Sequence, residues 1–131
     1  MKRRFGAARI GHLATSDAAG RPHLVPVCFA LDSDTAYFAV DAKPKRTRVL
    51  KRLLNIAANP RVSLLVDHYE EDWRRLWWVR ADGTARIVDD EAQSARAVGL
   101  LQDRYQQYRI DPPGGPVVAI AIDGWSGWSA S

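Results

Sequence analysis

DAKPKRTRVLKRLLNIAANPRVSLLV, residues 41–66, decides how this chain is read. From Thr47 onward, Val49, Leu50, Leu53, Leu54 and Ala57 recur at helical spacing, with Arg48, Lys51, Arg52 and Asn55 on the other side, so the segment predicts an amphipathic helix. Asn59 and Pro60 stop it. Val62 to Tyr69 then reads as a strand, apolar on both faces at its start and expected to be covered on both sides. Lys43, Lys45, Arg46 and Arg48 crowd the helix start, where the partial positive charge and unpaired N–H groups of a helix N-terminus disfavour side-chain cations. A bound phosphate reverses that penalty. A solvated basic surface is the plainer explanation, and this segment alone leaves both open.

The flanking segments are strands. Lys2 to Arg9 allows a short helix, and Ile10 to Ser16 a strand that turns at Asp17–Gly20 into Pro22–Leu31. The Asp32–Asp34 connection leads to Thr35–Val40, so three strands are expected as a meander. Pro26 cannot donate to a ladder and belongs on an edge or at a bulge. Downstream of the acidic tip at Glu70, Glu71 and Asp72, Leu76 to Val88 predicts a long strand interrupted near Asp82 and Gly83. Ala92, Ala95, Val98, Leu101, Tyr105 and Tyr108 mark a second amphipathic helix capped by Asp89 or Asp90. The proline- and glycine-rich stretch 112–116 ends it, and Val117–Ile122 is the last strand. About six strands with two short helices make a small barrel with helical plugs.

Composition narrows the function. The 131 residues fit one domain, 1–131, with a single core. No apolar stretch reaches membrane-spanning length and no secretory pattern follows Met1–Arg4, so a soluble, cytoplasmic protein is expected. Cys28 is the one cysteine, which excludes an internal disulfide and a thiolate cluster within one chain. His12, His23 and His68 lack the spacing of a metal site. Neither Ser16 nor Ser63 sits in a nucleophile elbow, and the dinucleotide fingerprint and the phosphate-binding loop of nucleotide hydrolases are absent. A formal charge of +4 and a pI near 9.6 favour an anionic partner, whether nucleotide coenzyme, nucleic acid or acidic substrate.

The hairpin IGHLATSDAAGRPHLVPVCFAL, the block AVDAKPKRTRVLKRLLNIAANPRVSLLVDHY, and WWVRADGTARIVDD with GPVVAIAIDGWSGWS resemble the split-barrel flavin and deazaflavin reductases. This is the superfamily of pyridoxamine 5'-phosphate oxidase, and the chain is most similar to its coenzyme F420-dependent branch. The resemblance covers nearly the whole chain and lies in the ordered set of blocks. It implies a mainly β, six-stranded split barrel with two or three short helices that forms a homodimer, with coenzyme in grooves between the subunits. It also implies that the basic segment grips the coenzyme phosphate through Lys45, Arg46 and Thr47, with Lys51 or Arg52 from the helix. Val25, Pro26 and Val27 would flank the ring with backbone groups and apolar contact.

Trp77 and Trp78 point to opposite faces of a strand, so at most one joins the core and the other needs a cover. Trp78 shares a face with Arg80, a stacking group beside a cation. Trp128, beyond the last strand, would approach the dimer groove. The implied activity is hydride transfer from reduced F420 to an electron-poor small molecule, with the coenzyme carrying the chemistry and the protein orienting it. Tyr69, His68 and water are the candidate proton donors. F420 is preferred because its carboxylate-bearing tail suits the many cations of residues 43–52; an FMN-binding oxidase or flavin reductase is the alternative. Two other classes remain: a basic barrel that binds single-stranded nucleic acid, which the clustering of the cations at one helix entry disfavours, and a coenzyme carrier without turnover.

Overall fold

The computed structural model describes residues 1–40 and 46–131, apart from the side chains of residues 46–50. One antiparallel sheet of seven strands curls around the core in the order β2-β1-β5-β6-β7-β4-β3. In chain order these are β1 (Gly11–Ser16), β2 (Pro22–Val27), β3 (Ala30–Asp32), β4 (Thr35–Ala39), β5 (Arg61–His68), β6 (Trp77–Ile87) and β7 (Val117–Ser129). The helices are α1 (Lys2–Ala7), α2 (Arg46–Ala58), α3 (Glu91–Arg104) and α4 (Gln106–Ile110), with a 3-10 turn at Trp73–Arg75.

The expected six strands become seven because Pro22–Leu31 is not continuous. It breaks at Cys28 and Phe29, so β2 lies at one edge of the sheet and β3 at the other. The expected three-strand meander is therefore split, and two residues join the edges. A chain crossing that seam loses its ladder partners and must satisfy its backbone polar groups another way. Tyr105 supplies them: its hydroxyl accepts from Phe29 N at 3.1 Å and lies 2.9 Å from Phe29 O and 3.0 Å from Arg9 O. Arg104 donates to the carbonyls of Gly6 and Ala8, tying α1 to the same seam.

Four α-helices stand where the resemblance implied two or three, in part because the helix expected through Tyr108 breaks at Tyr105, whose backbone is extended. Asp90 caps α3, its side chain accepting from Ala92 N. Pro26 sits on edge strand β2, as its missing N–H requires. The interruption expected near Asp82 and Gly83 is a bulge in the partner strand instead: β6 runs unbroken, and its register with β7 shifts between Asp82 and Gly83, leaving Asp123 of β7 as the extra residue. There a Cβ on Gly83 would lie 2.3 Å from Ala121 O, so only glycine fits.

Strand alternation divides the sheet into two faces. Leu13, Leu64, Val66, Val79, Ala81, Val118 and Ile120 fill the barrel, plugged at its ends by Phe5 of α1 and Ile56 of α2. Asn55 donates to Thr15 Oγ1 at 3.3 Å and Asn59 to Ser16 Oγ at 2.7 Å, fastening α2 to β1. On the outside, Ala97, Leu101 and Tyr105 cover Ala30, Tyr37, Ala39, Val117 and Ala119 as a second core. The two-sided cover expected for β5 is found at β4 and the start of β7 instead. β5 alternates, with Ser63 and Leu65 half-buried on the outside.

Candidate functional site

Among the described residues, the outer face of β1, β5, β6 and the end of β7 has no helix on it comparable to α3. Its registers set side chains in rows roughly 7 Å apart. The first row is Ala14, Ser63 and Asp82; the second His12, Leu65, Arg80 and Ser126; the third Asp67, Trp78 and Trp128. The chemistry changes along this grid from hydroxyl and carboxylate, through guanidinium, to indole.

Around the third row lies a cleft of about 460 Å³ whose wall includes Leu65, Asp67, Leu76, Trp78, Arg80 and Trp128. Trp78, Arg80 and Trp128, singled out from the sequence, are thus brought together. Strand alternation turns Trp77 toward the barrel core, against which it packs half-buried, and Trp78 outward beside Asp67, but Trp77 also borders this cleft. A second cleft of about 420 Å³ on the other side of Trp78 and Trp128 is lined by Arg3 and Arg4 of α1. A polar crevice of about 320 Å³ at the first row holds Thr15, Ser16, Arg61, Ser63 and Asp82.

Charge on this face is largely compensated in place. Arg80 grips Asp82 with two bonds, Nε to Oδ1 at 2.9 Å and an Nη to Oδ2 at 3.2 Å, and Ser63 Oγ donates to Asp82 at 2.6 Å. Burial alone would raise the Asp82 pKa, but the Ser63 and Arg80 hydrogen bonds and the Arg80 charge outweigh it and hold the carboxyl below its ordinary value. Arg61 is paired in the same way with Asp123 at 2.6 and 3.1 Å. At the rim, His68 Nε2 lies 2.5 Å from Glu70 Oε2, and its ring stacks near-parallel on Trp77. Tyr69 donates its hydroxyl proton to Glu71 at 2.8 Å. Both proton-donor candidates therefore line the cleft, each already engaged by a carboxylate.

Among the described residues, those of α2 line none of these three clefts. Lys51 is exposed, and Arg52 is half-buried with its guanidinium 5.9 Å from the Phe38 ring centroid. Arg52 Nε is buried without a hydrogen-bond partner, and among the described residues the guanidinium has no carboxylate. Burial lowers its pKa, with Tyr108 opposing. A desolvated cation with an orphaned donor fits a site for an external anion. Lys45 and the side chains of Arg46 and Thr47 lie outside the described residues. On β2, Val27 is buried in the core and Val25 packs against it, while Pro26 is exposed on the outer face. Val25 and Val27 thus turn inward, leaving their backbone and Pro26 for any outer contact.

Sequence reasoning missed Ser63, Leu65, Asp67 and Asp82 as members of one surface. Their alternation was readable, but the cross-strand register that aligns them with Arg80 and Trp78 is a tertiary fact.

A model of the pyridoxamine 5'-phosphate oxidase family matches residues 1–129. No curated protein matches the chain. Among solved structures, a conserved hypothetical protein from Mycobacterium tuberculosis superposes with a TM-score of 0.75 at 22% identity, over 96% of this chain and 80% of that one. A FAD-binding protein from Mesorhizobium loti gives 0.71 at 25% identity, over 96% and 89%. The haem storage protein HutZ from Vibrio cholerae gives 0.70 at 18% identity, over 98% and 90%. The first and third likenesses establish the fold alone, and one scaffold evidently carries different ligands. The chain belongs to the pyridoxamine 5'-phosphate oxidase family of split-barrel proteins.

Proposed function

We propose that this chain is a flavin-dependent oxidoreductase whose coenzyme phosphate is taken by the basic entry and first turns of α2. The observation that carries the reading is Arg52, a half-buried cation with an orphaned Nε on the helix where the sequence concentrates its positive charge. Lys51 stands beside it, and Lys45, Arg46 and Thr47 are assigned to the same anion from the sequence. Family membership and the FAD-binding relative from Mesorhizobium loti support a flavin, FMN being the form that needs one phosphate site. When bound, such a coenzyme supplies the two-electron chemistry.

The chain's own residues bind and orient. The open edge of β2 at Val25–Val27 offers backbone groups, with Pro26 as the apolar contact. Trp78 and Trp128, with Arg80 held flat by Asp82, wall a flat cleft that excludes water from one side of a planar molecule. A second copy of the chain is the expected cover for this outer face, so the working form is a homodimer. No helix among the described residues is long and apolar enough to cross a membrane. Single-stranded nucleic acid is disfavoured because Arg61 and Arg80 on the open face are already matched by Asp123 and Asp82.

Coenzyme F420 is the second reading, favoured by the number of cations between Lys43 and Arg52, which suits a longer anion than FMN. Titration of FMN and F420 side by side, followed by coenzyme fluorescence, tests both. Wild type binds one of them, and Arg52→Ala and the Lys45→Ala, Arg46→Ala double variant each weaken binding about tenfold or more, as expected for a lost charge-assisted contact to phosphate. Tighter binding of F420 selects the second reading. Binding of neither coenzyme, or no effect of any of these substitutions, contradicts the proposal.

A further inference from the structure

We infer that the cleft between Trp78 and Trp128 takes a planar aromatic cation, with Asp67 as its counter-charge, and that this is the substrate class of the protein. The second clause rests on the oxidoreductase reading above; the binding site itself does not.

The argument begins with shape. Trp78 and Trp128 are directly opposed across β6 and β7, and both face a cleft of about 460 Å³ closed by Leu65 and Leu76. That volume suits a ligand of one or two fused rings, within the range of small-molecule sites. Its apolar, aromatic walls reward flat surfaces and give little to a solvated chain.

Charge then selects among flat ligands. Three ionisable side chains of the cleft wall matter here: Asp67, His68 and Arg80. Arg80 is neutralised by a two-point pair with Asp82, and His68 is held on Glu70, which Arg75 also approaches at 3.3 Å. Asp67 has no hydrogen bond or ion pair among the described residues, and it lies in register beside Trp78. An anionic ligand would meet an Arg80 whose charge Asp82 already offsets, with only its remaining N–H groups to offer. A cationic ligand meets a carboxylate with no such counter-charge.

The indoles point the same way. Aromatic faces attract cations, and this chain uses that attraction internally: Lys2 Nζ lies 5.9 Å from the Trp125 centroid and the Arg4 guanidinium 5.2 Å from that of Trp77. Trp78 and Trp128 carry no such partner among the described residues. Arg3 and Arg4 line the neighbouring cleft, beyond the wall these two residues form. The two vacant indole faces and the unpaired carboxylate thus converge on one space.

The test uses the full-length protein and three probes of one shape: N-methylquinolinium, neutral quinoline and quinoline-2-carboxylate, at pH 8. Binding is followed through the indole N–H resonances of Trp78 and Trp128, with FMN and F420 titrated into the same samples. The cation should bind tightest and shift both indoles. Asp67→Asn should weaken the cation about threefold to fivefold, the scale of one partly exposed charge pair, while leaving quinoline unchanged. Trp128→Ala should weaken cation and quinoline alike. Preference for the carboxylate, equal effects of Asp67→Asn on cation and quinoline, or absence of binding by all three probes overturns the inference. Coenzyme binding without cation binding sinks the inference alone; cation binding without coenzyme binding removes the oxidoreductase reading and leaves the site.

Discussion

The two outer faces of the sheet are built from the same strands and finished in opposite ways. Over β3, β4 and the first half of β7, α3 lays Ala97 and Leu101 on small residues such as Ala39 and Ala119, and that face is sealed. Over β1, β5, β6 and the second half of β7, small residues such as Ala14, Ser63 and Ser126 alternate with Leu65, Arg80, Asp82 and the indoles of Trp78 and Trp128. β7 belongs to both: Val117–Ile120 is buried, and the stretch from Ala121 to Ser129 is half-buried or exposed. Completed packing marks the scaffold. A face that keeps indoles, a guanidinium and a lone carboxylate at its surface retains costly groups whose use must lie in what binds there.

Paired substitutions break or sharpen this contrast. Leu101→Ala, at a fully buried position on α3, should cost about 2–5 kcal/mol in urea unfolding, whereas Trp128→Ala, 49% exposed in the single protomer, should cost less than about 1 kcal/mol at dilutions that separate the protomers. Equal costs would mean the open face is a core in its own right. Tyr105→Phe should cost about 1–3 kcal/mol by leaving the Phe29 N–H and carbonyl at the barrel seam without their partner; hydrogen exchange at Phe29 should rise with it.

A smaller effect is expected at Asp82. Its folded-state carboxyl is held below the ordinary value, so its contribution is present above the unfolded value of about 3.9 and is lost as pH falls through the lower folded one. The stability difference between wild type and Asp82→Asn should be flat from about pH 5 to 8 and shrink below about pH 4; a difference that grows on acidification refutes the assignment. The slightest test concerns Cys28, whose thiol is pushed up by burial against the sealed side, with Arg9 and Arg104 opposing. Alkylation at pH 8 should be slower than for a free cysteine thiol, and should reach the free rate in urea.

Much of the scaffold was legible because it follows from local rules. Helical periodicity located α2, Asn59 and Pro60 its end, Asp89 or Asp90 the cap of α3, and the Asp82–Gly83 pair the place of a register shift, though not that the extra residue lies on β7. What escaped depends on distant partners. The break at Cys28–Phe29 is held by a hydroxyl 76 residues away, and no local signal announces it. The second half of β7 was hidden by the glycines and serines of residues 123–129, which form a strand there because β6 pairs with them. Among site residues, Trp78 and Arg80 were legible as an aromatic and a cation on one face, whereas Trp128, expected beyond the last strand, lies within β7 and joins them only through its pairing with Trp78. Asp67 was not, because its importance lies in lacking the partner that its neighbours have. Arg52 was legible as a cation on a basic helix, but only the packing against Phe38 gives it an orphaned donor.

The central claim is that the open face and α2 take the redox ligand while the α3 face is scaffold alone. Backbone amide resonances of the uniformly labelled protein, recorded with and without saturating FMN or F420, test it most directly. The account predicts shifts at Lys51 and Arg52, along β2 and around Trp78 and Trp128, with residues of α3 unmoved. Shifts confined to α3 and its underlying strands, or none anywhere with either coenzyme, would contradict it.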